Sequence, residues 1–572
     1  MSRRLRCARA ARVILLCGAA ACSGDSTGPS FSAQCGRLSL LSLAPLQAVT
    51  VDCSTGGHSV TLVGNGATYL VVPQLAIGDA GNRPVSYALT AGTGAVSAAV
   101  ASGAVAVAAT QGSAGAAARP GPGLRQRAFD AALRRKARAA ATSPAAPRSE
   151  ASFAVGPPPP AGSLRDFHVL ATVDTGRQTF QRVTARLGYV GTNVLVYQDT
   201  LAPAGGFSPS ELGSFGQLFD QTFYPLDLDA FGNPSDIDQN GRVIVLLSPV
   251  VNQLTSDLDC ASQGYIAGFF TGFDLTSSDT SANHGEVFYS VVPDPHGTLS
   301  CPHSVDVLLG DVPSVFLHEL QHLINYSQHV LVHGGSAEDG WLDEGLSLVA
   351  QELGSLYYEQ KFPPPSGRSN PNQLLPDSAE GFILTEFASS YTYLLQPDTV
   401  ALTEHSDGEL GLVWRGGDWL LLRWLGDQFG AAFYQRLEQS GVIGTANIAA
   451  AAGEPFAGLF GDFSLALYTD SLPGLSKSQI PARDRFATRS LRRAYQAYFD
   501  AAGPSPSVPR PFPLTPAPLT GTVTGSLVPG TPVFYQLTTA GGAPSVQLDF
   551  TSPGGAALPS RLHPQVSVFR LP

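Results

Sequence analysis

The fold is decided by residues 311–322, which read DVPSVFLHELQH. Apolar residues in and around this stretch recur at spacings of three and four, as on one buried face of an α-helix; they are Leu309, Val312, Phe316, Leu320 and Leu323. His318 and His322 are four residues apart, so they lie one helical turn from each other on a different face. Two imidazoles placed in this way can bind one tetrahedral Zn²⁺ ion through ring nitrogens.

Glu319 completes the pattern His-Glu-x-x-His, because it directly follows the first histidine. From that position its carboxylate faces the open coordination position of the metal rather than the metal itself. There it can accept a proton from a metal-activated water molecule. The stretch therefore predicts a catalytic zinc site, with His318 and His322 as ligands and Glu319 as the catalytic base.

A catalytic zinc site of this type needs a third protein ligand. One class of zinc enzymes places a glycine three residues and a histidine six residues after the second histidine, but these positions hold Asn325 and Gln328. Downstream, residues 341–350 read WLDEGLSLVA and predict a second helix, which a glycine-containing loop returns antiparallel to the first. Glu344, in its first turns, is a candidate ligand. The alternatives are Asp343, His329 and His333.

These two motifs resemble those of the gluzincin metallopeptidases, most closely the hyicolysin-type family of secreted bacterial peptidases. The stretch WLDEG is also similar to the aminopeptidase N signature, with Asp343 where that family has asparagine. The resemblance covers residues 164–470 and is strongest over residues 305–354. It implies zinc ligation by His318, His322 and Glu344, general-base catalysis by Glu319, and a zincin-like α+β domain of a mixed sheet and active-site helices.

The resemblance also implies a mechanism. Three protein ligands leave one position for water, whose pKa the zinc ion lowers to about 7. Glu319 removes a proton from this water and passes it to the leaving amine. Related enzymes commonly stabilise the oxyanion with a tyrosine or a histidine. The candidates in this sequence are Tyr326, Tyr391, Tyr393 and His405.

We therefore expect an exported zinc-dependent endopeptidase that acts on peptide or protein substrates. Aminopeptidases of the similar family carry a Gly-x-Met-Glu-Asn segment for the free amine of the substrate. That segment is missing, because the single methionine is Met1. Two alternatives stay open: a zinc aminopeptidase or non-peptide hydrolase, and a catalytically inactive binding or adhesive lipoprotein.

A second group of oxygen ligands precedes Gly241 and consists of Asp236, Asp238 and Asn240. Oxygen ligands at alternate positions before a glycine resemble the start of a Ca²⁺ loop. The glutamate that would close an EF-hand is absent, since that place holds Leu247. A turn built on Asp and Asn side chains is therefore favoured, with calcium binding as the weaker alternative.

The N-terminus has the features of an export signal. Five arginines within the first twelve residues precede the apolar stretch 13–21, and three alanines precede Cys22, which resembles the lipobox of bacterial lipoproteins. We expect a signal peptide at residues 1–21 and a lipid-anchor tether at residues 22–30, which places the protein at the cell envelope. Plain secretion is the alternative, and the lipid on Cys22 would be the only link to the membrane.

The cysteine pattern suits an oxidising compartment. Cys7 and Cys17 belong to the signal peptide, and Cys22 is the lipidation candidate. An even number of remaining cysteines in an exported chain indicates disulfides. The expected pairs are Cys35–Cys53 and Cys260–Cys301.

Composition narrows the class of protein further. The chain has 572 residues, of which 44% are hydrophobic and 14% charged, and a net charge of −11. Its apolar content excludes wholesale disorder, and its acidic balance argues against nucleic-acid binding. No internal stretch approaches the ~18 apolar residues of a membrane-spanning helix. We expect a multi-domain protein that is monomeric.

Shifts in composition divide the chain. We expect an N-terminal β module at 31–110, an Ala/Pro/Arg-rich linker or propeptide-like segment at 111–163, the metallopeptidase domain at 164–503, and a Pro-rich linker with a C-terminal β module at 504–572. Both β modules have the pattern of small β-sandwiches. Within the linker, residues 124–138 can form one basic helix.

Local patterns predict the elements of the expected metallopeptidase domain, residues 164–503, which we call the catalytic region. Strands are expected at residues 167–170, 193–197, 243–247 and 286–292, and a helix at residues 178–187. Beyond residue 305 the pattern is helical.

Overall fold

The structure is a computed structural model that describes residues 31–36, 40–78, 82–92, 95–96, 123–140, 157–174, 176–370, 373–403 and 412–572. The predicted signal peptide, Cys22 and the tether lie outside these ranges, as does His405. Among the described residues, no helix combines the length and apolarity needed to cross a bilayer.

Strands occur in both terminal regions and in the first half of the catalytic region. In chain order they are β1 (Phe31–Gln34), β2 (Leu40–Leu41), β3 (Ala48–Asp52), β4 (Ser59–Val63), β5 (Thr68–Leu75), β6 (Val85–Ala91), β7 (Ala95–Val96), β8 (Leu164–Leu170), β9 (Phe180–Val190), β10 (Val194–Asp199), β11 (Val243–Leu247), β12 (Gly268–Phe270), β13 (Val287–Ser290), β14 (Ala517–Pro518), β15 (Thr522–Leu527), β16 (Thr531–Pro532), β17 (Tyr535–Thr539), β18 (Ser545–Thr551) and β19 (Pro564–Arg570).

Helices dominate the second half of the catalytic region. In chain order they are α1 (Leu124–Ala140), α2 (Pro209–Leu218), α3 (Tyr224–Phe231), α4 (Pro249–Asn252), α5 (Asp257–Gln263), α6 (Phe273–Thr276), α7 (Val305–Tyr326), α8 (Gly340–Lys361), α9 (Asp377–Leu395), α10 (Leu412–Phe429), α11 (Ala432–Glu438), α12 (Gly444–Ala452), α13 (Phe456–Thr469) and α14 (Leu491–Ala502).

The catalytic region contains a mixed sheet with the strand order β12-β13-β11-β10-β9-β8. Strands β10, β11 and β13 are parallel, and β12, β9 and β8 join antiparallel. Every residue of β11 is buried, as expected for an apolar strand covered on both faces. The sheet and the helices confirm a mixed α+β fold, and the four expected strands correspond to β8, β10, β11 and β13.

The helix predicted at residues 178–187 is wrong, because this segment forms strand β9. Its buried side chains are Val183, Ala185 and Leu187, which alternate with more exposed residues. This period of two is that of a strand with one covered face. Pairing with both β8 and β10 fixes the segment as a strand.

Helices α7 and α8 carry the two sequence motifs and pack against each other. Ser304 caps α7 by accepting a hydrogen bond from the Val307 N–H at 3.3 Å. The residues of α7 from Val312 onward are buried, whereas Leu309, expected on the buried face, is 37% exposed. His318 contacts Gln351, and His322 contacts the earlier residue Asp343, so the two helices run antiparallel as predicted.

The strands of the two terminal regions share two sheets. One has the order β1-β3-β19-β5-β17-β14, and the other has the order β15-β6-β18-β4-β2. Both sheets mix strands from residues 31–96 with strands from residues 517–570, and their facing side chains form one apolar cluster. Two separate β modules are predicted from the sequence, because local alternation predicts strands without identifying their partners.

A polar network joins the two-sheet module to helix α13 of the catalytic region. Buried Gln74 donates a hydrogen bond to Ser567 Oγ at 2.7 Å and accepts one from Ser464 at 2.8 Å. A Cβ atom on Gly461 would lie 2.6 Å from Thr50 Oγ1, so the close approach of α13 to the sheet requires glycine there. The module therefore packs directly on the catalytic region.

Both expected disulfides, Cys35–Cys53 and Cys260–Cys301, are formed. The first lies in the two-sheet module. The second joins α5 to the segment before α7. This agrees with the oxidising compartment predicted from the cysteine pattern.

Asp227 on α3 is fully buried and neither of its oxygens has a hydrogen-bond partner. Burial raises the pKa of this carboxyl well above its usual value. The folded state thus retains a proton that the unfolded chain releases, so the free energy of unfolding falls as the pH rises above about 4. Asp227→Asn should remove this loss, so the free energy of unfolding of the variant, relative to wild type, should be higher at pH 8 than at pH 5.

Urea denaturation at pH 5 and pH 8 measures this effect. Asp229→Asn is the matched control, because Asp229 is exposed on the same helix. An unchanged pH dependence in Asp227→Asn would show that Asp227 is not a buried proton-binding group.

Candidate metal centre

Three buried side chains converge between α7 and α8. His318 Nε2 lies 3.1 Å from His322 Nε2 and 3.5 Å from Glu344 Oε2, and His322 Nε2 lies 4.0 Å from Glu344 Oε1. Ligand atoms about 2.0–2.1 Å from a tetrahedral Zn²⁺ ion are separated by about 3.3 Å. The three side chains can therefore hold one metal ion.

The hydrogen bonds around these side chains leave the converging atoms available. His318 Nδ1 pairs with Gln351 Oε1 at 3.1 Å, and His322 Nδ1 pairs with Asp343 Oδ1 at 2.8 Å. Both acceptors bind an Nδ1–H group, which leaves the Nε2 lone pairs for a metal. Glu344 is buried; its Oε2 atom is paired with the Arg415 guanidinium at 2.7 Å, whereas Oε1 has no hydrogen-bond partner. A buried oxygen without a partner is costly, and a metal ion would satisfy it.

Charge at the site suits a divalent ion. Burial lowers the pKa values of His318 and His322 well below the usual value, so both imidazoles are neutral near pH 7. Burial alone would raise the pKa of Glu344, but the Arg415 guanidinium, 2.7 Å from Oε2, lowers it below its usual value. Two neutral nitrogens and one carboxylate form a donor set typical of catalytic zinc.

The alternative third ligands lie elsewhere. Asp343 binds Nδ1 of His322, on the opposite side of the ring from the converging atoms. His329 is buried 3.7 Å from Glu338, and His333 is exposed. Among the described residues, the groups of potential ligands around His318 contain neither of these two histidines. Geometry thus favours Glu344 over the alternatives.

Glu319 is buried next to the three converging side chains. Its Oε2 accepts hydrogen bonds from the Phe270 N–H and from Arg134, both at 2.8 Å, whereas Oε1 has no hydrogen-bond partner. Burial raises the pKa of Glu319 to about 7, against the opposing effects of Arg134 and the Phe270 N–H. A carboxylate that titrates near neutral pH can both accept and return a proton.

Two arginines at this site were missed by the sequence analysis. Arg415 on α10 pairs with Glu344, and Arg134 on α1 pairs with Glu319. Arg415 precedes an apolar run that is typical of a core helix, and a buried arginine there needs a buried anion. Arg134 belongs to the segment expected to be a linker or propeptide-like. In both cases the sequence separation from the partner hides the contact.

The predicted oxyanion donors are not brought together. The Tyr326 hydroxyl lies 3.4 Å from Thr276 Oγ1, and the Tyr391 hydroxyl donates to the carbonyl of Arg510. Tyr393 is buried, and its hydroxyl has no hydrogen-bond partner. The oxyanion donor stays a prediction.

A cavity of about 240 Å³ adjoins His318. One wall is formed by α1, through Gln126, Arg127 and Asp130, and the other by α9 and α10, through Glu386 and Arg415. Burial raises the pKa of Glu386 to about 7. Helix α1 therefore encloses space directly beside the potential metal ligands.

The possible calcium loop forms a turn. The Asn240 side chain donates to Asp238 Oδ2 at 2.7 Å and accepts from the Arg242 N–H at 2.6 Å, while Asp236 accepts from the Gly241 N–H at 3.0 Å. Carboxylate oxygens of Asp236, Asp238 and Glu286 also lie within 4.8 Å of one another. The hydrogen bonds of Asn240 and Asp236 favour the turn over calcium binding.

Comparison with known proteins points to the same chemistry. No family model matches the chain. The chain is similar to a metal-dependent protease, however, and this supports a metallopeptidase without resolving the gluzincin or hyicolysin-type assignment. The similar protein is the neutral metalloprotease ShpI of Staphylococcus hyicus, which is 27% identical over 241 residues. The alignment covers 40% of this chain and 50% of that protein, so the chain spans about half the length of the relative it matches.

Proposed function

We propose that the protein is an exported zinc-dependent endopeptidase of the gluzincin type, with His318, His322 and Glu344 as zinc ligands and Glu319 as general base. The observation that carries this proposal is the convergence of two neutral imidazole nitrogens and one carboxylate at a buried point beside Glu319. The distant similarity to a neutral metalloprotease supports it independently.

The surrounding residues have distinct parts in the proposed reaction. Bound zinc supplies a Lewis acid that polarises a carbonyl and activates water. Glu319 Oε1, which has no hydrogen-bond partner, receives the proton from the attacking water and delivers it to the leaving amine. Asp343 and Gln351 hold the two imidazoles in the orientation that directs Nε2 toward the metal. Arg415 keeps Glu344 ionised.

A peptide substrate suits the site better than a non-peptide one. Strand β12 is at the edge of its sheet, and Phe270 at its end donates its N–H to Glu319. An extended peptide can add to such an edge through main-chain hydrogen bonds. The absence of a Gly-x-Met-Glu-Asn segment favours internal cleavage over aminopeptidase activity.

Metal analysis and hydrolysis assays test the proposal. We expect purified protein to contain about one zinc ion per chain. In the zinc-loaded chain with α1 displaced as described below, hydrolysis of casein and of an N-terminally blocked peptide should stop with chelator and return with zinc. Cleavage restricted to peptides with a free N-terminus would favour the aminopeptidase alternative. A chain that binds zinc but cleaves no substrate, even with α1 displaced as described below, would favour the binding lipoprotein.

Asp343→Ala is expected to weaken zinc binding. The substitution removes the acceptor that fixes His322 Nδ1, and loss of such a partner typically lowers metal affinity about 10–100-fold. Competition with a chromophoric chelator measures the affinity. Asp343→Asn keeps an acceptor at the same position and should lose less affinity. Unchanged affinity in Asp343→Ala would mean that Asp343 does not orient His322.

A further inference from the structure

Helix α1 lies directly against the metal centre, although it belongs to the Ala/Pro/Arg-rich segment. Gln126, Asp130 and Arg134 are spaced by four residues, so they share one face of the helix. All three are buried, with at most 6% exposure. The residues of this face contact the sheet edge, the potential metal ligands and the proposed general base.

Arg134 engages Glu319. Its Nη2 atom lies 2.8 Å from Glu319 Oε2 and donates to the Phe270 carbonyl at 3.0 Å. The guanidinium also lies over the Phe270 ring, 5.5 Å from its centroid. Because the ion pair is buried, solvent does not compete for it. Arg134 thus binds one oxygen of the proposed general base, Oε2, and lies beside the other, Oε1, which has no hydrogen-bond partner.

Asp130 brings a further carboxylate to the metal centre. Its ligand oxygen, a ring nitrogen of His318 and a carboxylate oxygen of Glu319 all lie within 4.8 Å of one another. The Gln126 side chain donates to Asp130 Oδ1 at 2.8 Å and so orients it. His322 and Glu344 are not in this group, so Asp130 approaches the metal centre from the side of His318 and Glu319, next to the three converging ligand atoms.

Gln126 covers the edge of the sheet. Its Oε1 atom accepts the Ala267 N–H at 2.7 Å, and its Nε2 atom donates to the Gly268 carbonyl at 2.7 Å. These are main-chain groups at edge strand β12, where an extended peptide would bind. The side-chain amide of Gln126 therefore occupies the hydrogen-bonding positions of a substrate backbone.

Apolar contacts anchor the helix. Phe129 and Leu133 are each 3% exposed and belong to the main core of the catalytic region. The Phe129 ring meets the Phe269 ring edge-to-face, with centroids 5.2 Å apart. The helix is thus packed into the catalytic region as an integral layer.

We infer, on the basis of the proposed function, that α1 is an inhibitory segment that occupies the substrate cleft of its own chain, with Asp130 as the fourth ligand of the bound metal and Arg134 paired to Glu319. The full chain is then a latent enzyme. Departure of α1 opens the fourth coordination position, the general base and edge strand β12 together.

Cobalt substitution tests the metal contact without measuring activity. The full chain is loaded with Co²⁺, whose visible absorption reports its coordination. We expect Asp130→Ala to change this spectrum, because solvent replaces a carboxylate. The control is Lys136→Ala on the same helix. Lys136 interacts electrostatically with Asp174, so its replacement should leave the spectrum unchanged. A spectrum identical in Asp130→Ala and wild type would overturn the assignment of Asp130 as a ligand.

Displacement of the helix tests the inhibition. The double variant Phe129→Asp, Leu133→Asp places two carboxylates in the buried contact and should release α1 from the cleft. We expect this zinc-loaded full chain to cleave a blocked peptide at least about tenfold faster than wild type, with circular dichroism confirming that it is folded. The single variant Asp130→Ala, which leaves the apolar contact intact, should show a smaller gain.

The outcomes separate this inference from the proposed function. Wild type that is as active as the displaced variant would refute inhibition by α1. A cobalt spectrum that depends on Asp130, in a chain that cleaves no peptide in either form, would support the position of α1 at the metal and refute the peptidase proposal. A chain that binds neither zinc nor cobalt would refute both.

Discussion

Glu319→Gln is expected to lower kcat/KM for a blocked peptide by about 10²–10⁴-fold while zinc stays bound. Glutamine has nearly the same shape as glutamate but cannot accept the proton of the attacking water. None of the three proposed ligands is altered, so the metal content should not change. The comparison is best made in the Phe129→Asp, Leu133→Asp background, where α1 no longer holds Glu319.

Glu211→Gln is the matched control for this substitution. Glu211 is exposed and closes the capping box of α2, a role that glutamine also fills. Its replacement should change neither activity nor stability. Hydrolysis retained in Glu319→Gln at the rate of the parent would remove Glu319 as the general base.

Glu344→Ala is expected to have two separate effects. It removes the third ligand, so the zinc content after dialysis should fall from about one ion per chain to less than about one tenth. It also leaves Arg415 buried without its partner, which should lower the free energy of unfolding of the metal-free chain by about 3–5 kcal/mol. Metal analysis and urea denaturation measure the two effects independently.

A second substitution distinguishes the two effects. Arg415→Met in the Glu344→Leu background replaces the ion pair by apolar side chains of similar size, so it should restore much of the stability without restoring zinc. A Glu344→Ala chain that keeps its zinc would show that another residue is the third protein ligand. Asp130 would then be the first candidate, because it shares a potential ligand group with His318.

Much of the candidate site could be predicted from the sequence because helical spacing is local information. His318 and His322 lie on α7 at a spacing that places their rings one turn apart. Glu344 follows on α8, which a short connection returns alongside α7. In both cases the neighbours along the chain determine the neighbours in space.

The arginines could not be predicted in this way. Arg134 is far in sequence from Glu319, and Arg415 is far from Glu344, so no spacing rule connects either pair. Their contacts depend on how α1 and α10 pack onto the catalytic region. A basic helix with few apolar residues gives no local sign that its polar face is buried.

The fold likewise contains elements that local sequence predicts and pairings that it does not. Strand β11 was predicted at its observed bounds because a short apolar run covered on both faces is distinctive. Strand β9 is predicted as a helix because its alternation is short, covering only residues 183–187 after the two exposed polar residues Gln181 and Arg182. The sharing of two sheets by the terminal regions depends on pairings such as β5 with β19, which link residues at opposite ends of the chain.

These long-range pairings have a consequence for the order of folding. Strand β5 lies between β19 and β17, so its sheet cannot close until residues beyond 563 are available for pairing. The strands of the catalytic sheet lie within residues 164–290 and can pair earlier. Contacts of large sequence separation form slowly. We therefore expect the catalytic region to acquire structure first during biosynthesis, with closure of the two-sheet module as the late step in maturation.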